Sequence, residues 1–359
     1  MNSPLNNILD ARVVPLAAPP ASGEASALDL TLRALRPMLS RSDVTELCIN
    51  QPGVAYLETH RGWCRELLPF ATFEWCTRLA KLVANSTRQR IDEESPILSA
   101  SLPSGERIQI VLPPATSAGC VALSIRRPSD QVWSIDELSA SGIFRKTLRA
   151  TTDLDPTEAE LLRLLKDENY EAFMRLSVTS RKNILVSGPT GSGKTTWTKA
   201  LIREIPTDER LITIEDAQEL VLDRHPNHVR LFYSKDDQGL ARVTPKQLLE
   251  SCLRMKPDRI LLAELRAEEA FDYLRNVNSG HPGSITSVHA ASAELAFDQL
   301  VLLVKQSRGG QELPRADIKN LLYLLVDVVV QFGVERHERF IKEIWYDPGR
   351  KRRSLAAVS

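Results

Sequence analysis

Gly188-Pro-Thr-Gly-Ser-Gly-Lys-Thr195 follows the apolar run Ile184-Leu-Val-Ser187 and leads into a stretch of helical character. A glycine-rich turn between a strand and a helix is the context in which Gly-x-x-x-x-Gly-Lys-Thr cradles phosphate. The glycines let the backbone pass close to the phosphates, their N–H groups point inward, and the helix N-terminus adds partial positive charge. Lys194 then reaches the β and γ phosphates and the Thr195 hydroxyl is the expected Mg²⁺ ligand. Gly188, Pro189, Thr190, Gly191, Ser192, Gly193, Lys194, Thr195 and Thr196 form the expected nucleotide-binding segment, with ATP and Mg²⁺ as its ligands.

Downstream and upstream of this loop, strands and helices alternate. Strands are expected over 183–187, 211–214, 229–232, 259–262 and 285–288, with helices over 245–255 and 268–277 and one opened by Asp155-Pro-Thr-Glu158. That interleaving predicts a mainly parallel sheet covered on both faces, an α/β architecture. The N-terminal third reads differently. A helix is expected over 27–39 and another over 73–84, with short strands at 44–49, 54–58, 63–68, 107–112 and 121–125, a smaller α+β domain. The expected organisation is a mobile tail at 1–26, an N-terminal domain at 27–128, a linker at 129–152, the loop-bearing domain at 153–346 and a basic tail at 347–359.

Lysines plus arginines equal aspartates plus glutamates, 46 of each among 359 residues, so no global charge points to nucleic acid. The five cysteines (Cys48, Cys64, Cys76, Cys120 and Cys252) are widely spaced, which suits reduced thiols in a cytoplasmic protein better than a disulfide framework or a zinc knuckle. The most apolar run, 321–332, is interrupted by Asp327 and is well short of the ~20 residues a membrane span needs. The first twenty residues lack the pattern of a secretory signal.

Two apolar strands end in carboxylates: Leu211-Ile-Thr-Ile-Glu-Asp216 and Arg259-Ile-Leu-Leu-Ala-Glu264. Side chains alternate along a strand, so Glu215 and Asp216 face the phosphates together only if the strand has already ended. Glu264, at a strand end, suits a place near magnesium. His281 and His289 lie in a third cluster, 278–290. With no third His or Cys beside them they read as hydrogen-bonded histidines rather than a metal pair, with His289 placed to sense a terminal phosphate.

Taken in order and spacing, these boxes resemble the traffic ATPases of type IV secretion systems, the VirB-eleven type, within the secretion and pilus hexameric P-loop ATPases. The loop at Gly188, the acidic box Ile212-Thr-Ile-Glu-Asp-Ala-Gln-Glu-Leu220, the stretch Met255-Lys-Pro-Asp-Arg-Ile-Leu-Leu-Ala-Glu-Leu-Arg266 and the histidine box 279–290 carry the likeness. In the first domain, Leu102-Pro-Ser-Gly-Glu-Arg107 and Leu123-Ser-Ile-Arg126 resemble the arginine-bearing strands of that family. The resemblance implies a RecA-like ATPase domain with a smaller N-terminal domain and the nucleotide between them in a ring of six. It implies Glu215 as the residue that activates water, Glu264 as the support for magnesium, and Arg107 and Arg126 as arginines approaching the phosphates. It also implies partners among the inner-membrane components and other ATPases of a secretion machine, at the inner face of the bacterial inner membrane. Stable sequence-specific nucleic-acid binding is not expected.

Two residues depart from the family pattern: Ala263 stands where glycine is usual, and Trp197 is bulky for an early helix position and is expected in core packing. Type II secretion ATPases, pilus-retraction ATPases and DNA translocases remain as rival readings. The absence of a cysteine quartet, the strand pattern over 102–129 and the balanced charge weigh against each in turn. The run Arg350-Lys-Arg-Arg353 reads as a solvated end, with peripheral contact to anionic lipid as the second reading.

Overall fold

The computed structural model describes residues 12–13, 25–128, 131–148, 151, 153–234, 239–267, 269–278 and 280–356. Most of the expected tail at 1–26 therefore lies outside the described residues.

The N-terminal part opens with β1 (Arg12–Val13), α1 (Ala27–Leu32) and α2 (Arg36–Leu39). One helix was expected over 27–39. Pro37 sits in the first turn of α2, where its missing N–H is tolerated only because the chain restarts there. Next come β2 (Val44–Gln51), β3 (Val54–Thr59), β4 (Gly62–Leu67), α3 (Phe73–Ser86), β5 (Ile97–Ser101), β6 (Arg107–Val111) and β7 (Ala122–Arg126). They make a seven-stranded sheet in the order β1-β4-β3-β2-β7-β6-β5. Leu47, Ile49, Leu57, Ile108, Ile110, Leu123 and Ile125 bury its inner face against α1 and α3, whose apolar residues recur at helical spacing.

A short helix, α4 (Ile135–Ala140), lies within the expected linker. A reciprocal Ser134–Glu137 capping box starts it, yet none of its residues is buried. The remaining elements are α5 (Pro156–Lys166), α6 (Tyr170–Thr179), β8 (Ile184–Ser187), α7 (Lys194–Arg203), β9 (Leu211–Glu215), β10 (His228–Phe232), α8 (Pro245–Cys252), β11 (Arg259–Leu262), α9 (Glu269–Asn278), β12 (Ile285–Val288), α10 (Ala293–Gln306), α11 (Arg315–Leu325), β13 (Val328–Glu335), β14 (Glu338–Tyr346) and α12 (Pro348–Ala356). Strands pair as β10-β9-β11 and β12-β8-β13-β14. The two groups meet edge to edge, where Leu265 N–H donates to the Ser287 carbonyl (2.9 Å) and Ser284 Oγ to that of Ile260 (2.6 Å). Every pairing is parallel except the β13–β14 hairpin. Helices α8 to α11 cover one face and α5 to α7 the other, so β8, β9, β11 and β12 are fully buried, as continuous apolar runs require.

The hairpin was not legible as strands. The apolar run at 321–332 spans the end of α11 and the start of β13, and β14 is an edge strand with mostly exposed charged positions. The C-terminal basic run also differs from a solvated end. Arg352 pairs with Glu158 (2.8 Å), Lys351 with Asp327 (2.7 Å), and Arg350 stacks on Tyr323.

The N-terminal sheet docks on the other through Arg210, whose side chain is completely buried. Its Nε donates to the Met255 carbonyl (2.9 Å) and its Nη1 to Asn50 Oδ1 (2.9 Å) and Asn227 Oδ1 (2.5 Å), and the guanidinium lies 5.5 Å from the Trp63 ring centre. Tyr56 Oη donates to the Pro226 carbonyl (2.8 Å) and Trp63 Nε1 to Asp258 (3.2 Å). Next to this joint Glu46 is buried with Oε1 lacking a hydrogen-bond partner. Burial raises its pKa to about 7, opposed by the charges of Arg210, Arg126 and Lys256 and reinforced by Glu58.

A raised carboxyl pKa means that the folded protein binds the proton more tightly than the unfolded chain. Stability from this group is full below pH ~4.5 and is lost as the pH climbs through about 7, in total roughly 3 kcal/mol. Urea denaturation at pH 5 and pH 8 should show this loss in the parent protein and not in Glu46→Gln. Equal pH dependence in both would contradict the assignment.

Candidate nucleotide site

The loop after β8 is held by backbone conformations only glycine adopts freely. Gly191 and Gly193 have φ of 75° and 97°, and a Cβ on Gly188 would lie 2.8 Å from Phe332 Cβ. Gly193 is the N-cap of α7 and supplies no side-chain cap, so the first-turn N–H groups of that helix are left for an anion. Ser192 Oγ is buried with no hydrogen-bond partner. Thr195 and Thr196 are exposed in the first turn. A cradle that excludes side chains, free backbone donors and an orphaned hydroxyl fit a polyphosphate.

Lys194 is buried, and its Nζ donates to the carbonyls of Gly188 (2.8 Å) and Pro189 (3.1 Å). His289 Nδ1 lies 3.3 Å from the same Nζ. An ammonium only donates, so Nδ1 is the acceptor and the imidazole proton belongs on Nε2. Burial lowers the Lys194 pKa, and the negative charge of Glu264 opposes that shift.

Glu264 follows β11 and His289 follows β12, the strand between β11 and β8. His289 Nε2 is 2.8 Å from Glu264 Oε1, but the alignment is off-line, so that oxygen keeps no directional hydrogen bond. Arg266 bridges two acids: Nη2 donates to Glu264 Oε2 (2.5 Å) and Nη1 to Asp216 Oδ2 (2.9 Å). The ends of β8, β9, β11 and β12 thus converge as Lys194, Asp216, Glu264, Arg266 and His289.

Glu215 is set apart from this group. Its carboxylate is fully buried and receives two bonds from Arg230 (3.0 and 2.9 Å), one from Thr213 Oγ1 (2.7 Å) and one each from the N–H groups of Glu219 and Leu220 (both 2.9 Å). With these acceptor sites filled, it holds the turn after β9. Strand alternation then turns the next residue, Asp216, toward Arg266. Arg266 and Asp216 lie within the sequence boxes, which by themselves assign them no role; strand alternation is the signal that points to Asp216.

Arg107 and Arg126 face each other across β6 and β7, and Arg126 also lies opposite Glu46. Both are exposed, and neither guanidinium makes an ion pair or hydrogen bond among the described residues. Arg126 lines a cavity of about 470 Å³ with Lys256, which precedes β11, whereas Glu264 follows it. The chain therefore does not bring its own two arginines to its own loop. Trp197 packs edge-on against Phe332, with ring centres 6.1 Å apart. Among the described residues no helix is long and apolar enough to cross a membrane.

A RecA-like P-loop ATPase is the class that this fold and this loop define. The family model described as "Type II/IV secretion system protein" matches residues 71–331. The type IV secretion system protein VirB11 of Bartonella henselae is 45% identical over 343 residues, covering 92% of this chain and 96% of the relative. PtlH, a type IV secretion system protein of Bordetella pertussis, is 41% identical over 335 residues, covering 92% and 98%. A solved structure of the VirB11 ATPase from the Brucella suis type IV secretion system, in complex with sulphate, superposes with a TM-score of 0.87 at 46% identity, over 91% of this chain and all of that one. The chain belongs to the type II/IV secretion system protein family, on its VirB11 branch. Relatives this similar are type IV secretion proteins, which favours that machine over the type II, pilus-retraction and translocase readings.

The two acids should respond differently to substitution. Glu215→Ala strands the mostly buried Arg230 and should cost about 3–5 kcal/mol in urea denaturation. Glu264→Gln should stay within about 1 kcal/mol of the parent, because its partners are exposed. Equal effects would contradict the division between them.

Proposed function

We propose that the protein hydrolyses ATP in a Mg²⁺-dependent reaction to drive a type IV secretion machine. The convergence of Lys194, His289 and Glu264 on the glycine loop carries this reading. Lys194 neutralises charge on the phosphates, and the α7 N-terminus and loop N–H groups hold their oxygens. Mg²⁺, when bound, would be held by Thr195 and would offset charge on the phosphoryl oxygens. Water attacks the γ-phosphorus, the bond to the β,γ-bridging oxygen breaks, and ADP and phosphate leave. Glu264 is the carboxylate beside Lys194 with an oxygen free of directional bonds, and it receives the water proton. Arg266 orients Glu264 through its other oxygen, and His289 registers the terminal phosphate. Glu215, expected to activate water, acts instead as a positioning residue that holds the turn carrying Asp216.

Residues 27–128 and 153–346 act as two domains, and six copies form a ring. The exposed, unpaired state of Arg107 and Arg126, remote from their own loop, supports their delivery to the site of a neighbouring copy. There a guanidinium fork stabilises charge building on the phosphoryl oxygens. The protein would work in the cytoplasm at the inner membrane, through the membrane components and other ATPases of the machine. Since Arg350, Lys351 and Arg352 are engaged within the chain, protein contacts rather than this basic run would hold it there.

Purified protein should release phosphate from ATP only when Mg²⁺ is present. Lys194→Ala should lose nucleotide binding, and Glu264→Gln should bind ATP but turn over at least about 100-fold more slowly. Native mass spectrometry should show six copies. Undiminished turnover by Lys194→Ala, or a monomer under all nucleotide conditions, would overturn the proposal.

A further inference from the structure

The β13–β14 hairpin contributes more than an edge to the sheet. It lies beside β8 on the side away from β12, so the loop at Gly188 is flanked by the Glu264–His289 pair on one side and by the hairpin on the other. Contact is close: Phe332 Cβ and its carbonyl leave no room for a side chain on Gly188, and Trp197 of α7 packs on the Phe332 ring. Cross-strand partners share a face, so Phe332, Ile341, Val334 and Arg339 look toward α7 and the loop. Arg339 Cδ lies 3.7 Å from where a Cβ on Gly193 would stand, against the residue that caps α7.

Glu335 and Glu338 face each other one register step away at the hairpin tip, where strand alternation turns them to the opposite face from Arg339. Its guanidinium makes no hydrogen bond or ion pair among the described residues. A guanidinium held against a phosphate-binding loop and left without a carboxylate partner on that face is suited to an anionic ligand.

We propose that Arg339 contacts the diphosphate portion of the bound nucleotide, from the same chain that supplies the loop. The assignment rests on the P-loop reading and extends it. With the terminal phosphate beside Lys194, Glu264 and His289, the inner phosphates run toward the hairpin, where Arg339 grips them as a bidentate donor. The site then has its own resident arginine, independent of Arg107 and Arg126.

Isothermal titration of full-length protein with ADP and separately with inorganic pyrophosphate tests this, using the parent, Arg339→Ala and Arg339→Lys. Arg339→Ala should weaken both ligands by about 10-fold to 100-fold, the range of a charge-assisted contact, with Arg339→Lys recovering part of the loss and the thermal midpoint unchanged. Parent-like binding of both ligands by Arg339→Ala would overturn the assignment alone, as would a loss confined to ADP, which would place Arg339 against the nucleoside. A parent protein that binds neither ligand would overturn the P-loop reading and this assignment with it.

Discussion

Arg210 is the constraint on which the arrangement of the two sheets depends. A guanidinium taken wholly out of water costs several kcal/mol unless each donor is met. Met255, Asn227 and Asn50 accept from Nε and Nη1, Ser124 Oγ lies 3.5 Å from Nη2, and Trp63 covers the face. Asn50 and Trp63 come from the N-terminal sheet, so undocking that sheet would strand the charge. The joint sits at the start of β9, while the phosphate loop and its carboxylates sit at the opposite ends of the strands.

That separation shapes the chemistry. Within one chain, positive charge reaches the loop from Lys194, the α7 N-terminus and the hairpin arginine. Arg126 stays by Lys256 and the buried Glu46, on the joint side. Since the joint is built from buried polar contacts, opening and closing a chain's own two sheets would break them at each turnover. A change in how neighbouring copies meet would leave the joint intact.

Much of this was legible in the sequence because it follows from local rules. The glycine spacing defines the loop, and β11 and β12 have the bounds expected of short strands buried on both faces. The β13–β14 hairpin was not legible, since its charged edge strand carries no such run. Nor was the division of labour between Glu215 and Asp216. Alternation said only that they face different ways; Arg230, fifteen residues on in a neighbouring strand, decides which one is locked. The position of Arg107 and Arg126 was hidden for a related reason. It depends on docking contacts scattered over Asn50, Arg210 and Asn227, none of which forms a motif.

The central claim is that the nucleotide site is completed between copies, and subunit mixing tests it most directly. A Lys194→Ala chain has intact arginines and a dead loop; an Arg107→Ala, Arg126→Ala chain has the reverse. Each alone should hydrolyse ATP poorly. Mixed and reassembled, they should recover hydrolysis, because some loops of the second chain then face arginines of the first. No recovery at any mixing ratio, with mixed rings verified by mass, would contradict the account.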